Sequence, residues 1–431
     1  MTDFPAGSPR AVLVHINFRS AEFNEDIDEF IELVTSSGIQ AADIISCNKN
    51  APNPKYFIGE GKIEEIKQSV KLHQGSLVIF NHAISPGQER NLERDLGCRV
   101  IDRVELILDI FAQRARSYEG KLQVELAQLQ HLSTRLIRGW THLERQKGGI
   151  GLRGPGETQL ETDRRLIGKR IKTINSRLAK VRSQRQQGAK KRIKTAIPMV
   201  SLVGYTNAGK STLFNQLTGA GVYAADKLFA TLDPTLRRCL VAPDVTVVLT
   251  DTVGFIRHIP HDLINAFHAT LEETRHADLL LHIIDVNDKN RHAHIEQVNQ
   301  VIDQIGAGDI PQIEVYNKID IAEIPARLEL DNKSNPHRVW VSAQTGAGID
   351  HLLGAIHQFV SVKIQRHRLN LPATAGKLRA HLFRIGAVKD EKIDEQGGWI
   401  MEVDMETPRL HELCEQSGLL DVKLQSWYPS L

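Results

Sequence analysis

The sequence predicts a mixed α/β protein in four parts: a small N-terminal α/β domain, an antiparallel helical hairpin, a doubly wound P-loop domain and a small α+β C-terminal domain. Three observations support this fold class. A chain of 431 residues is too long for one ordinary domain. Strand-like apolar runs alternate with helical patterns in two separate stretches. Between these stretches lies a segment with the heptad spacing of packed helices.

The composition favours a protein of the cytoplasm. Apolar residues make up 41% of the chain, which is enough for buried cores. No apolar run has the length of a membrane span, and the N-terminus lacks the features of a signal peptide, so we expect no membrane insertion. The four cysteines are far apart and show no metal-binding spacing, which is typical of free thiols.

The N-terminal domain is predicted at residues 1–110. Its strands are predicted at 11–18, 39–46, 77–80 and 99–101. Its helices are predicted at 22–35, 60–73 and 86–96. Because strands and helices alternate, we expect a largely parallel sheet.

The hairpin is predicted at residues 111–195, with one helix from about 104 to 138 and a second from near Thr158. The apolar residues of the second helix follow a heptad pattern: Leu160, Ile167, Ile171, Ile174, Leu178 and Val181. Residues 135–195 contain 18 Lys/Arg and 4 Asp/Glu, a net charge of +14, although the whole chain has only +2. This block indicates a nucleic-acid partner, and a solvated helical face is the alternative.

The P-loop domain is predicted at residues 196–366 and the C-terminal domain at 367–431. Residues 184–198 are expected to form a basic connector into the P-loop domain, and residues 367–376 a linker out of it. In the C-terminal domain, strands are predicted at 376–388 and 398–405, and a helix at 407–418.

A phosphate-binding loop is predicted at the start of the third domain. An apolar strand leads into the motif G-x-x-x-x-G-K-S and a helical pattern follows it, which is the context that the motif requires. The motif consists of Gly204, Tyr205, Thr206, Asn207, Ala208, Gly209, Lys210 and Ser211. The backbone amides of such a loop cradle phosphates, Lys210 reaches the β- and γ-phosphates, and the Ser211 hydroxyl coordinates Mg²⁺.

Two further elements complete the predicted phosphate site. One follows an apolar strand and consists of Asp251, Thr252, Val253 and Gly254. Its carboxylate can hold Mg²⁺ through water, and the Gly254 amide can contact the γ-phosphate. The other is a switch segment, made of Phe229, Ala230, Thr231, Leu232 and Asp233. Thr231 is the expected second Mg²⁺ ligand and the sensor of the γ-phosphate, with Thr235 as its rival.

The base of the nucleotide is predicted to be guanine. The relevant residues follow two later strands, and they are Asn317, Lys318, Ile319 and Asp320, then Ser342, Ala343 and Gln344. A carboxylate at Asp320 can accept hydrogen bonds from N1–H and N2–H₂ of guanine, a donor pair that adenine lacks. The backbone at residues 342–344 can meet the guanine O6. These elements predict GTP and GDP as ligands and Mg²⁺ as a cofactor.

One position departs from the Ras-like arrangement. The glutamine that orients the attacking water in Ras is replaced by Phe255, so intrinsic hydrolysis should be slow. Asn207 is a candidate ligand for a K⁺ ion that could stabilise charge in the transition state, and simple turn formation is the alternative role. We assign the catalytic roles to Lys210, Thr231, Gly254 and Asn207.

Residues 149–154 spell G-x-G-x-x-G, a pattern that can mark a dinucleotide site. The preceding stretch is polar and basic rather than strand-like, so the pattern lacks its required context. Together with the motifs above, the stretch GGIGLRGPGETQLETDRR at 148–165 resembles the signature of the HflX family of translational GTPases.

The resemblance implies binding to the large (50S) ribosomal subunit through rRNA and ribosomal proteins. It also implies ribosome-stimulated hydrolysis of GTP and dissociation of stalled ribosomes under stress such as heat shock. Family members are reported to use ATP through the N-terminal domain, but that domain shows no second phosphate loop. We expect a monomer. Assembly of the large subunit, or a nucleotide-switched module that binds other proteins, are the competing functions.

The hairpin tip is the expected contact with ribosomal RNA. Its glycines make the tip thin, Arg153 is the candidate phosphate or base contact, and Trp140 could stack on a base. The full set of expected contact residues is Trp140, Arg145, Lys147, Gly149, Gly151, Arg153 and Gly154. A tip without contacts is the alternative.

Overall fold

A computed structural model of the chain gives the architecture. It describes residues 9–18, 26–146, 155–193, 197–219, 228–229, 231–243, 245–256, 274–363, 365–384, 386–394, 397–405, 407–417 and 425–426. Among these residues, no helix has the length and apolar character needed to cross a membrane.

The N-terminal domain contains a four-stranded parallel sheet, as predicted. Its strands are β1 (Arg10–Phe18), β2 (Gln40–Lys49), β3 (Leu77–Phe80) and β4 (Arg99–Asp102), and their spatial order is β2-β1-β3-β4. The connecting helices are α1 (Ile27–Ser36), α2 (Glu60–Leu72) and α3 (Pro86–Leu96). Helix α1 begins after Asp26, whose carboxylate accepts from the amides of Asp28 and Glu29. Residues 22–25 of the predicted first helix lie outside the described part of the chain.

The predicted helix from 104 to 138 is two helices, α4 (Arg103–Arg114) and α5 (Tyr118–Gln146). They are separated at residues 115–117, where the amides of Arg116 and Ser117 donate to the Asp233 carboxylate. The partner is more than a hundred positions along the chain, so this contact cannot be inferred from the local sequence. The second arm of the hairpin, α6, spans Pro155–Ile193, and the predicted connector at 184–198 is therefore largely helical.

Among the residues whose side chains are described, the two arms of the hairpin share one small buried cluster. Leu122 and Leu126 of α5 contact Ile174 and Leu178 of α6 in a small buried cluster, with Leu129 and Ile171 beside it. Farther along α5, Leu132 is 46% exposed. Of the predicted heptad positions on α6, Ile174 and Leu178 are buried and Ile167, Ile171 and Val181 are half-buried, whereas the side chain of Leu160 lies outside the described residues.

The P-loop domain is doubly wound, as predicted, around a seven-stranded sheet of order β10-β11-β9-β8-β5-β7-β6. Its strands are β5 (Met199–Gly204), β6 (Thr235–Ala242), β7 (Val245–Asp251), β8 (Leu279–Asp285), β9 (Gln312–Asn317), β10 (Arg327–Leu330) and β11 (Pro336–Trp340). Its described helices are α7 (Lys210–Thr218), α8 (Arg291–Gln304), α9 (Ile319–Ala322) and α10 (Ile349–Lys363). The central strands are parallel, so their carboxyl ends share one edge of the sheet. Ligands of such sheets bind at that edge.

The C-terminal domain corrects two predictions. The segment at 376–388, predicted as a strand, contains helix α11 (Gly376–Arg384), whose buried Leu378 and Leu382 are four residues apart on one helical face. The predicted linker contains strand β12 (Gln365–Leu371) and a 3₁₀ turn at Ala373–Ala375. The remaining elements are β13 (Val388–Ile393), β14 (Trp399–Met405), α12 (Thr407–Gln416) and β15 (Gln425–Ser426), and the antiparallel sheet has the order β13-β14-β12-β15.

A single hydrophobic cluster joins the N-terminal and P-loop domains. From the N-terminal half it contains Phe30 of α1 and Ile107 and Phe111 of α4. From the P-loop domain it contains Phe229 and Phe255, which flank the predicted phosphate site. The two domains therefore share buried apolar surface at the place where the switch segment lies.

The buried cluster of the hairpin gives a stability prediction. Ile174 is fully buried, so Ile174→Ala should lower the free energy of local opening of α6 by about 2–5 kcal/mol. Leu166, on the same helix, is 55% exposed, and Leu166→Ala should change it by less than about 0.5 kcal/mol. Amide hydrogen exchange along α6 measures both effects. Equal effects of the two variants would contradict the assigned packing.

Candidate nucleotide-binding and hydrolysis site

The loop between β5 and α7 lies against the ends of two neighbouring strands. Gly204 has φ 147°, and a Cβ atom there would lie 2.3 Å from the carbonyl oxygen of Ile283 in β8. Gly209 has φ 92°, and its Cβ would lie 2.2 Å from Nδ2 of Asn317, at the end of β9. Both positions therefore require glycine, and the loop amides follow a path that a side chain would block.

Lys210 is the buried cation of this loop. Its ammonium donates to the carbonyl oxygens of Gly204 at 3.0 Å and Tyr205 at 2.6 Å. Burial lowers the pKa of Lys210 to about 8, and the negative charge of Asp251 opposes that shift. A cation that has lost its hydration in this way favours an anionic partner, and the loop geometry is suited to a phosphate.

Three oxygen-bearing side chains converge beside Lys210. The Ser211 hydroxyl lies 2.7 Å from the Thr231 hydroxyl and donates to Oδ2 of Asp251 at 2.7 Å. The Thr231 hydroxyl donates to the same carboxylate oxygen at 2.9 Å. Asp251 is fully buried, and its burial raises the pKa of the carboxyl group.

These groups fit a magnesium ion. Mg²⁺ prefers hard oxygen ligands and is often held by few protein groups together with phosphates. Oδ1 of Asp251 is buried and has no hydrogen-bond partner within the described part of the chain. Thr231 is the threonine that lies on this cluster, whereas its rival Thr235 is the first residue of β6 and pairs there with the backbone of Asp251.

Asn317 connects the phosphate loop to the far end of the site. Its side-chain amide donates to the Ala208 carbonyl at 2.9 Å, and its side-chain oxygen accepts from the Ala343 amide at 2.9 Å. Lys318 follows in the left-handed region at φ 66°, and its ammonium lies 2.8 Å from the Asp285 carboxylate. One side chain thus fixes the spacing between the loop and the 342–344 segment.

These elements surround a cavity of about 460 Å³. The sequence-predicted residues that line it are Thr206, Asn207, Gly209, Lys210, Ser211, Phe229, Thr231, Thr252, Gly254, Asn317, Lys318, Asp320, Ala343 and Gln344. Two residues that sequence reasoning missed, Thr212 and Ile321, also line it. Each directly follows a motif residue, so extending the motifs by one position would have found them.

Other predicted site residues lie outside the lining. These are Gly204, Tyr205, Ala208, Leu232, Asp233, Asp251, Val253, Ile319 and Ser342. Ala230 and the predicted tip residues at 147, 149, 151, 153 and 154 fall outside the described residues. Trp140 and Arg145 belong to helix α5.

Phe255 is held by its backbone to the phosphate loop. Its carbonyl oxygen accepts from the Thr206 amide at 2.7 Å, and its amide donates to the Gly204 carbonyl at 3.1 Å. The residue is only 4% exposed and belongs to the core shared with the N-terminal domain. Because its ring is buried and offers no hydrogen-bonding group, it cannot orient an attacking water molecule.

Tyr205 connects the phosphate loop to the N-terminal domain. Its hydroxyl donates to the Glu29 carboxylate, which also pairs with Arg103. The Tyr205 ring stacks on His294 of α8, with ring centroids 3.8 Å apart. Arg103 also donates to the side-chain oxygen of Asn81 at 2.8 Å. The motif predicts Tyr205 as part of the nucleotide site, but only its backbone belongs to the loop, since its side chain faces the N-terminal domain.

Three family models match consecutive stretches of the chain. Residues 24–112 match the family model described as GTP-binding GTPase N-terminal, and residues 114–192 match GTP-binding GTPase Middle Region. Residues 199–318 match the model described as 50S ribosome-binding GTPase.

Individual relatives cover nearly the whole chain. The chain is 58% identical to GTPase HflX of Escherichia coli (strain K12) over 412 residues, which is 95% of this chain and 97% of the relative. It is 45% identical to GTPase HflX of Caldanaerobacter subterraneus subsp. tengcongensis over 397 residues, 92% of this chain and 91% of the relative. A crystal structure of a GTP-binding protein from the archaeon Sulfolobus solfataricus, in complex with GDP, is 25% identical, covers 82% of this chain and 99% of that chain, and has a TM-score of 0.45.

The position of Asp320 on the cavity wall gives a specificity prediction. Asp320→Asn should weaken GTP binding by about 10–100-fold, because a carboxamide cannot accept from both guanine donors. The same change should improve binding of xanthosine triphosphate, whose 2-oxo group can accept from the new amide. Titration calorimetry measures the affinity of each variant for both nucleotides. Asp350→Asn, an exposed change outside the cavity, is the matched control, and unchanged GTP affinity in Asp320→Asn would refute the assignment.

Proposed function

This chain belongs to the HflX family of GTPases and hydrolyses GTP, and from that premise we propose that it binds the large ribosomal subunit and dissociates stalled or idle ribosomes in the cytoplasm under stress such as heat shock. The ribosome is the partner that the family name of its third domain suggests. In this proposal the protein first binds GTP. Contact with rRNA then stimulates hydrolysis, and GDP and phosphate are the products.

The basic hairpin is the structural feature that best supports this proposal. Helices of 29 and 39 residues have lengths of about 45 Å and about 60 Å at 1.5 Å per residue. In the described residues, the arms share a buried cluster around Leu122 and Ile174, and residues 135–195 carry a net charge of +14. A long, thin and positively charged element is suited to enter a cavity walled by RNA.

The phosphate side of the site is arranged for charge stabilisation. The loop amides and Lys210 would hold the phosphates, and the Gly254 amide would contact the γ-phosphate. Ser211, Thr231 and Asp251 would hold Mg²⁺, which neutralises negative charge on the phosphates when bound. Because Thr231 belongs to the switch segment, its position would report whether a γ-phosphate is present.

The residue after Gly254 cannot activate the attacking water molecule, so another group must do so. Phe255 stands where Ras-like proteins have the water-orienting glutamine, and its ring is buried in the shared core. We propose that contact with the ribosome supplies the missing group or geometry. Asn207, in the left-handed region at φ 61° and on the cavity wall, is the candidate ligand for a K⁺ ion that would add positive charge beside the phosphates.

Cation dependence tests this role of Asn207. Replacing K⁺ by Na⁺ should lower the rate of GTP hydrolysis by the isolated protein, and Asn207→Ala should abolish the difference between the two cations. Hydrolysis rates in matched K⁺ and Na⁺ buffers measure the effect. Fast hydrolysis that is independent of the cation would contradict both the slow intrinsic rate and the K⁺ site.

The hairpin tip can be tested separately from the nucleotide site. Replacing residues 148–156 by a Ser-rich loop of equal length should leave GTP affinity unchanged, because the phosphate loop at 204–211 is a separate segment of the chain. The same variant should lose the conversion of 70S particles into subunits and most of the ribosome-stimulated hydrolysis. Arg153→Ala should weaken both activities partially, and ribosome affinity should fall steeply with salt.

Sedimentation with GTP and with a non-hydrolysable analogue decides between the functions. Accumulation of subunits supports dissociation, whereas precursor particles in a deletion strain would support assembly of the large subunit. No co-migration with ribosomes would favour a protein-binding module. A loop variant that still splits ribosomes at the normal rate would refute the proposed role of the tip.

A further inference from the structure

The switch segment is attached to the N-terminal half of the chain on both sides of Thr231. Before Thr231, the amide of Leu228 donates to the Ser36 hydroxyl at 3.0 Å. The neighbouring Phe229 packs edge-on against Phe111 of α4, with ring centroids 4.6 Å apart. After Thr231, the attachment is polar and involves Asp233.

The Asp233 carboxylate lies at the N-terminus of hairpin helix α5. Its Oδ2 accepts from the backbone amides of Arg116 at 2.9 Å and Ser117 at 2.8 Å, and its Oδ1 accepts from the Ser117 hydroxyl. The Ser117 hydroxyl in turn accepts from the Gly120 amide at 2.8 Å, as an N-cap residue does. A carboxylate at the positive end of a 29-residue helix is electrostatically stabilised, so the switch segment supplies part of the cap of α5.

Gly120 indicates how closely this contact is fitted. Glycine is a poor helix former, yet it occupies the first turn of α5. A Cβ atom at this position would lie 2.3 Å from Oδ1 of Asp233 and 3.0 Å from the Ser117 hydroxyl. Residue 120 is therefore a glycine, although glycine is a poor helix former, because a side chain there would displace the Asp233 carboxylate.

The chain between the two contacts is too short to absorb a large movement. Asp233 is two residues from Thr231, a span of at most about 7 Å when fully extended. Thr231 is held by Ser211 and Asp251, and Leu232 between the two contacts is buried. When Thr231 moves away from the phosphate site, Asp233 is displaced from α5 unless residue 232 alone accommodates the change.

We propose that Asp233 is a positioning residue that couples the nucleotide state to the base of the basic hairpin. It holds Thr231 over Ser211 and Asp251, and it transmits movement of the switch segment to the first turn of α5. Reciprocally, a force on the hairpin shifts Thr231, because coupling between two sites acts in both directions. The inference goes beyond the proposed function and is tested on the isolated protein, so its outcome does not depend on ribosome binding.

Two variants break the contact in different ways. Gly120→Ala introduces a methyl group against Oδ1 of Asp233 while improving the helix propensity of α5. Asp233→Asn removes the charge at nearly constant volume. Gly168→Ala, on the other arm of the hairpin, is the matched control, because the added Cβ would contact nothing within 4 Å beyond the adjoining backbone of its own helix. Circular dichroism checks that each full-length variant is folded.

The first readout is hydrolysis kinetics. Gly120→Ala and Asp233→Asn should each lower kcat about tenfold with KM changed less than about twofold, because they disturb Thr231 without removing a nucleotide contact. The double variant should show the effect of either single change and not their product, since both break the same interaction. Gly168→Ala should have the wild-type kcat.

The second readout is amide hydrogen exchange at residues 118–122 of the isolated protein. In the wild type and in Gly168→Ala, these amides should exchange more slowly with a non-hydrolysable GTP analogue than with GDP. In Gly120→Ala and Asp233→Asn the two nucleotides should give the same exchange rate. Wild-type kinetics and an undiminished nucleotide dependence in both variants, or multiplicative effects in the double variant, would overturn the proposal.

Discussion

The architecture depends on one buried contact between the N-terminal domain and the phosphate loop. The Glu29 carboxylate receives the Tyr205 hydroxyl and pairs with the buried guanidinium of Arg103. Removing either charged partner would leave an uncompensated charge in a dry environment, so the three groups fix one another. Around them, apolar residues of both domains form a single core that includes Phe111 and Phe229. The nucleotide site is therefore built against the N-terminal domain and is not an independent module carried beside it.

Close approach of backbone segments is the second constraint on the site. The loop, the end of β8 and the end of β9 are so near one another that Gly204 and Gly209 have no room for side chains. Asn317 uses both ends of its amide to hold Ala208 and Ala343. The cavity thereby has a fixed length between its phosphate end and its base end. Within this fixed frame, the switch segment is the part that can move. Its Thr231 hydroxyl contacts Asp251, whereas its Asp233 carboxylate contacts Ser117 at the start of α5.

The phosphate site lacks the glutamine that orients water in Ras-like proteins. The site contains the groups that we propose as ligands of the phosphates and Mg²⁺, but Phe255 occupies the position of the water-orienting glutamine and is buried in the shared core. The same core receives the switch segment, and α5 begins where that segment ends. The contacts of the hairpin base and those of the phosphate loop thus meet within a few residues of Thr231.

Local sequence patterns determined the parallel sheets, the two hairpin arms and the strand ends at which the nucleotide motifs lie, because periodicity, loop glycines and motif spacing act within a few turns of the chain. Tertiary structure decided what depends on distant partners. It selected Thr231 over Thr235 at the Ser211–Asp251 cluster, directed the Tyr205 side chain to Glu29 of the N-terminal domain, and separated α4 from α5. In the last case the deciding contact joins Ser117 to Asp233 across 116 positions, and each residue alone has only the ordinary propensity of its type. The physical reason is that an unpaired amide or carboxylate is stabilised by whichever partner the fold brings to it, and the local sequence does not specify that partner.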